Sequence, residues 1–317
     1  MTQVPTMDEV LKDAPKNWGK WGDEDEVGAL NYLTAEEVFR GVRHIKSGTV
    51  FTLQRLIGDP KGDPVWPGRT PAEKTVILDE SSWDGDGAPQ FPGGLHYADD
   101  KISAFLQGST QYDALGHVWY GGQLWNGYDA RTTVGGLSKA SVALIAERGV
   151  VGRGILLDMA RFRGKENLDK AETFTYEDLV ACAEAQGVKI EKRDILIIRT
   201  NFLKLFFDQG EKFYEGFCEP GLVYSPELVH WFQDMEIPNL VTDTIANEVT
   251  IDPNNGTALP LHCALMRNLG VALTEICDLE KLASHCAEDR QYTFLYAAAP
   301  LKVHEASGSP VNPLVIK

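Results

Sequence analysis

Apolar residues along this 317-residue chain change their rhythm about a third of the way in. In the first part, "LTAEEVFRGVRHI" sets apolar positions at helical intervals behind Thr34 and Glu37, whose spacing is that of a capping box. "GTVFTLQRLIG" and "KTVILDES" are β-branched runs bounded by Gly and Pro, the pattern of strands. Between them "GDPKGDPVWPGRTP" predicts a loop, and "SSWDGDGAPQFPGGLHYADD" predicts a second. Both loops carry aromatic residues, which linkers seldom do, so they are expected to wall a site.

Downstream the pattern becomes a regular alternation. "SKASVALIAERG" reads as a helix, "VVGRGILLDMAR" as a buried strand and "TYEDLVACAEAQG" as an amphipathic helix ending at glycine. "RDILIIRTN" is another strand, "SPELVHWFQDM" a helix and "IPNLVTDT" a strand. "LPLHCALMRNLG" then leads as a helix into the strand "VALTEICDL", followed by the helix "DLEKLASHCAED" and the strand "YTFLYAAAPLKV". Buried strands alternating with helices predict an α/β domain with a parallel or mixed sheet. No repeat, heptad or break in composition divides the chain. The expected organisation is therefore an N-terminal extension or arm over 1–33 and one domain over 34–317.

Charge narrows the partners. A net charge of −16 argues against nucleic acid and against an anionic membrane surface, since the mean field repels both. A small anionic substrate stays possible, because a metal or an arginine inverts the potential locally. The five cysteines form no CxxC pair and fit reduced thiols better than a disulfide frame or a zinc ribbon. The N-terminal segment is polar and acidic, without an apolar signal core, and no apolar run reaches the roughly 20 residues of a membrane span. The expected location is cytoplasmic.

The candidate chemistry lies in "LQGSTQYDALGHVWYGGQLWNGY", which sets Gln107, Gln111, Asp113 and His117 at intervals of four, two and four. In a strand, Gln111 and Asp113 share a face, and a following turn folds His117 back toward Asp113. Carboxamide, carboxylate and imidazole are all ligands for a divalent metal. By spacing alone the four residues are more often those of an ordinary polar loop. The chain has no GxSxG elbow, which counts against a serine hydrolase.

The segment resembles the core motif of the cyclase-type family of metal-dependent hydrolases, which includes bacterial kynurenine formamidase, isatin hydrolase and trans-dienelactone hydrolase. Where that family has HxxxHxDxxxH, this chain has "QGSTQYDALGH": Gln107 and Gln111 stand in place of two histidines, while Asp113 and His117 match. The QxxxQxDxxxH form resembles the trans-dienelactone hydrolase-like branch. So do "NWGKWGDEDEVGALNYLT" near the start and "LYAAAPLKVHEASGSPVNPLVI" at the end. The resemblance covers most of the chain and implies a swivelling β/β/α-type domain with a mixed sheet and flanking helices. It further implies a divalent metal held by Gln107, Gln111, Asp113, His262 and Glu275, as one ion or two, with His117 as general base or as a further ligand. Dimerisation, with loops of one subunit shaping the other's pocket, is also implied. Carbonyl oxygens in place of imidazole nitrogens harden the site, so Mn2+ is expected to gain on Zn2+, with either possible.

The function expected on this basis is hydrolysis of a small lactone, cyclic amide or related acyl bond by metal-activated water. The alternatives are an arylformamidase acting on N-formylkynurenine, which the glutamines disfavour, and a binding protein that keeps the metal without turnover. Candidate substrate contacts are His96 in the loop before the motif, Trp119 among the aromatic residues after it, and Arg199 at the end of "ILIIRTNF", a potential carboxylate clamp. Arg199 has the competing reading of an ion pair with a local acid. Asp243 and Glu248 of "TDTIANE" are lesser candidates, catalytic or simply satisfied structural acids.

Overall fold

The structure, a computed structural model, describes residues 3–84 and 87–317. Met1 and Thr2 of the predicted arm, and Gly85 and Asp86 of the second loop, lie outside the described residues. In chain order the strands are β1 (Val50–Thr52), β2 (Glu73–Leu78), β3 (Asp99–Ser103), β4 (Gln111–Asp113), β5 (Val150–Asp158), β6 (Thr173–Phe174) and β7 (Ile195–Arg199). They continue with β8 (Gly221–Leu222), β9 (Asn239–Thr242), β10 (Ala272–Glu275), β11 (Thr293–Ala298), β12 (Gly308–Pro310) and β13 (Leu314–Ile316). Nine of them form one sheet in the order β1-β13-β11-β5-β7-β9-β10-β4-β12.

The centre of this sheet is parallel, β5 to β7 to β9 to β10, and both flanks are antiparallel. That is the expected mixed sheet, and its central strands explain their own composition. Along β7, Leu196 and Ile198 enter one core layer while Ile195 and Ile197 enter the other. Side chains alternate across a strand, so an unbroken apolar run means burial on both faces. One face is covered by helices Tyr176–Ala185 and Pro226–Asp234, and the other by Val142–Arg148 and Glu280–Asp289.

Local chemistry starts these helices where the sequence places them. Thr34 and Glu37 form the reciprocal capping box ahead of Ala35–Val42, and Thr175 with Asp178 repeats it ahead of Tyr176–Ala185. Ser225 caps Pro226–Asp234, with Pro226 at the first helical position, where its missing N–H costs nothing. Residues 3–33 lie against the body. Asn17 donates through its backbone N–H to Asn268 O at 2.9 Å, Trp18 Nε1 donates to Arg267 O at 2.7 Å, and Leu11, Ala29 and Leu30 are buried.

Strands β2 and β3 depart from this order. They pair only with each other, and nearly every residue of both is exposed, including Val76, Ile77 and Ile102. "KTVILDES" is a strand as expected, but it projects from the body as a two-stranded ribbon.

Candidate metal centre

β4 lies between β10 and β12, and its register decides the site. Gln111 is directly opposite Glu275, and Asp113 opposite Gly308. Cross-strand neighbours share a face, so Gln111 Nε2 donates to Glu275 Oε2 at 2.7 Å. Asp113, two residues on, points to the same side, as strand period requires. Tyr112 faces the other way into the core, where its hydroxyl donates to Asn239 Oδ1 at 2.7 Å.

His262 arrives from a different element. It ends a short helical turn, Pro260–His262, that continues directly as a π-helix over Cys263–Leu269. Such widened turns are frequent at functional sites. Two residues with positive φ flank the cluster: Leu259 at 51° and Ile276 at 56°. For a β-branched residue such as Ile276 that conformation is costly, on the order of 1–3 kcal/mol. Hydrogen bonds hold it: Ile276 N–H donates to Thr244 O at 2.8 Å, and Thr110 Oγ1 donates to Ile276 O at 2.7 Å.

One ligand atom from each of Asp113, His262 and Glu275 lies within 4.8 Å of the others, and all three residues are buried. Their charges are far from balanced. Burial, with the Asp113 charge added to it, lifts the Glu275 carboxyl to about 7 against the pull of His262. Burial also opposes charge on His262, yet its hydrogen bonds to Glu248 and Glu275 prevail and raise it to about 10. Asp113 Oδ1 and Gln111 Oε1 are fully buried and accept no hydrogen bond from any described residue. Unsatisfied buried acceptors are rare because each costs about 1–3 kcal/mol. Two of them, beside one further carboxylate and an imidazole, fit a divalent cation in charge and in chemistry.

His117 stands at the open side of this cluster. Its Nε2 is 3.9 Å from Asp113 Oδ2, and its side chain is 23% exposed. The chain reaches that position by a turn in which His117 N–H donates to Ala114 O at 2.8 Å. His117 and Trp119 together line two cavities, one of about 470 Å3 with Leu106 and Leu137, the other of about 320 Å3 with Leu259, His262 and Cys263. Among the predicted site residues, the structure thus brings together Gln111, Asp113, His117, Trp119, His262 and Glu275. The Gln107 side chain lies beside Gly308, the cross-strand partner of Asp113, and its Nε2 donates to Ser307 Oγ at 3.0 Å. It packs so tightly on Gly308 that a Cβ there would sit 2.5 Å from that nitrogen.

Two predicted substrate contacts are placed otherwise. Arg199 is buried, donating from Nη1 to Asp158 Oδ1 and from Nε to Glu280 Oε1, both at 2.7 Å. This is the geometry of the competing reading, a structural ion pair, with two carboxylates already on the guanidinium. His96 stacks on Trp83 with ring centroids 4.9 Å apart, beside Glu80 and on the exposed β2–β3 ribbon rather than at this chain's metal cluster.

Of the two lesser candidates, Asp243 is structural: it accepts from the backbone N–H groups of Thr200 and Asn201. Glu248 is more. Its Oε1 accepts from His262 Nδ1 at 2.7 Å, and its two oxygens also accept the backbone N–H groups of Leu261 and His262. A carboxylate behind a metal-facing histidine sets the tautomer and aims the other nitrogen. Glu219, fully buried, braces the loop that carries Glu248 by accepting from the N–H groups of Ile245 and Ala246. Sequence reasoning passed over this arrangement because only the bend of the loop shows what Glu248 reaches.

The sequence profile described as "Putative cyclase" matches residues 51–249, well over half of the chain. The chain belongs to the cyclase family. A crystal structure described as a novel cyclase is 36% identical, with a TM-score of 0.86, and the match covers 99% of this cyclase and 100% of that chain. Isatin hydrolase A from Labrenzia aggregata shares the fold at 20% identity and TM-score 0.60, over 86% of this chain and 94% of its own. Isatin hydrolase A from Ralstonia solanacearum does so at 20% identity and TM-score 0.60, over 84% and 91%. No curated protein matches this chain. None of its described helices is long and apolar enough to cross a membrane.

Proposed function

We propose that this cyclase is a metal-dependent hydrolase that opens a lactone, cyclic amide or related small acyl bond. Gln111, Asp113, His262 and Glu275 would hold the ion. The observation that carries the reading is a buried trio of potential ligands, with two orphaned oxygens, next to a solvent-reachable imidazole. Their donor set, oxygen-rich with one nitrogen, suits Mn2+ or Zn2+.

A divalent ion at these ligands supplies a Lewis acid for the acyl carbonyl and makes water easier to deprotonate near neutral pH. The protein's own groups do the rest. Glu248 holds Nδ1 of His262, so Nε2 faces the cluster. Gln111 keeps Glu275 in place through its amide N–H. His117 Nε2, on the open side, takes the proton of the attacking water. It then returns that proton to the leaving oxygen or nitrogen as the tetrahedral adduct collapses. Trp119, Leu106 and Leu259 give the substrate apolar walls and limit bulk water. The setting we propose is the cytoplasm, consistent with five free thiols, and the working unit a homodimer joined through the β2–β3 ribbon.

The test is a panel of γ-valerolactone, isatin and N-formylkynurenine, assayed before and after complete chelation and after return of Mn2+ or Zn2+. Hydrolysis is expected for a cyclic ester or amide, abolished by chelation and restored by metal. His117→Ala is expected to keep its metal by elemental analysis and to lose about 10²–10⁴-fold in turnover. Hydrolysis that survives demetallation overturns the reading.

A further inference from the structure

A cavity of about 520 Å3 is walled by Trp66, Phe206 and Tyr214, with Arg69 among its lining residues. Arg69 belongs to the first of the two aromatic loops, and Asp63 fixes that loop by accepting from the N–H groups of Gly58 and Ala72, both at 3.0 Å. The Arg69 guanidinium makes one hydrogen bond, from Nη1 to the backbone carbonyl of Gln107 at 2.9 Å. Among the described residues, no carboxylate lies within 4.0 Å of it, unlike Arg199, Arg153 and Arg193, each of which has an acid partner. The half-buried Arg69 thus bonds the backbone of the residue that opens the Gln107–His117 segment, four positions before Gln111.

A backbone carbonyl occupies one donor of the fork and leaves the charge uncancelled. In a chain with 46 acidic and 30 basic residues, an arginine without an acid partner on a cavity wall is a positive point in a negative surround. Its remaining N–H groups match the two oxygens of a carboxylate. The other ionic groups around the cavity are Asp63, whose oxygens are taken by backbone N–H groups, and the exposed Lys61 and Glu211.

We infer that Arg69 is a carboxylate-binding residue, and that the substrate is a small acyl compound bearing a carboxylate. That group docks in the Trp66–Tyr214 cavity while the scissile carbonyl lies toward Asp113 and His117. The inference rests on the hydrolase reading for the identity of the reacting bond, and the binding experiment below is independent of hydrolysis.

The probes are cyclopentanecarboxylate and its neutral counterpart cyclopentanecarboxamide, neither of which has a ring bond to open. Calorimetry with the metal-loaded full chain should show the carboxylate bound. Arg69→Met should weaken it by about tenfold or more, the size of a lost charge-assisted contact, and change the amide less than about twofold. Metal occupancy should not move, which separates docking from a role in propping Gln107. Arg69→Lys, which keeps the charge and loses the fork, should fall between the two and serves if the methionine variant does not fold. If wild type binds no carboxylate, or if Arg69→Met or Arg69→Lys binds it as wild type does, the inference is overturned. Failure of every lactone and amide in the hydrolysis panel, with Arg69-dependent binding intact, would instead overturn the hydrolase reading alone.

Discussion

Glu248 Oε1 accepts from Nδ1 of His262 at 2.7 Å while Nε2 of the same ring stands 3.2 Å from Glu275 Oε1. One imidazole is thus clamped between two buried carboxylates, the first fixing its orientation and the second sharing its free face. Without a metal this is a hydrogen-bonded ion triad. With one, the proton on Nε2 must leave, and Glu248 keeps the ring from turning.

Replacing Glu248 by Gln retains the shape and one acceptor oxygen but removes the charge behind the ring. Metal affinity is expected to drop about 10–100-fold, the usual cost of losing such a partner, as read by competition against a calibrated chelator. Far-UV circular dichroism should be unchanged. Wild-type affinity in this variant would mean that His262 is oriented by its backbone alone.

The same triad makes metal uptake depend on pH. His262 is raised to about 10 and Glu275 to about 7 in the metal-free protein, so each group holds a proton more tightly than in the unfolded chain. For both, the stability gained from that proton is full below the unfolded pKa and is lost as pH rises through the folded one. A metal takes the place of those protons. Between about pH 7 and 9 binding should release about one proton, and log Kd should improve by about one unit per pH unit. Below pH 7 the slope should steepen as Glu275 adds its own proton. Calorimetry in buffers of different ionisation enthalpy measures the count, and a pH-independent Kd would contradict the protonated triad.

Arg199 should behave as a structural residue. Its guanidinium joins the buried Asp158 to Glu280, so Arg199→Met strands the Asp158 carboxylate without its main counter-charge. The expected loss is about 3–5 kcal/mol in a denaturant titration, with the KM of the folded fraction close to wild type. A large KM change without loss of stability would restore Arg199 to the substrate site.

The contrast between Arg199 and Arg69 marks the limit of what was legible in the sequence. Strand period and capping chemistry are local, so the helices and the shared face of Gln111 and Asp113 could be read directly. Which elements close the site is a matter of register: Glu275 meets Gln111 only because β10 pairs antiparallel with β4 at that offset. The local pattern separates the two arginines as strand end and loop, but in neither case does it show the partner of the guanidinium. Arg199 ends a buried strand beside acids, whereas Arg69 sits in a loop whose path is set by Asp63 and by backbone contacts no pattern encodes. Likewise "KTVILDES" reads as a strand because of its β-branched run, and the run itself does not say whether the surface it needs belongs to the same chain or to another.

That last ambiguity yields a prediction about assembly. An isolated two-stranded ribbon is marginal in water, and this one leaves Val76 at 49%, Ile77 at 54% and Ile102 at 54% exposure, with Phe105 at 44% just beyond β3. Val76 and Ile77 lie where the register of the ribbon shifts, and both remain exposed there. An apolar ribbon with free edges is a template for association, and a second copy of the chain would cover it. Light scattering on a sizing column should therefore give a dimer for the wild-type protein across the micromolar range. Ile77→Asp combined with Ile102→Asp should shift it to a monomer that retains its far-UV spectrum, since both residues are more than half exposed in their own chain. A wild-type monomer, or a doubly charged ribbon that still dimerises, would remove β2–β3 from the interface.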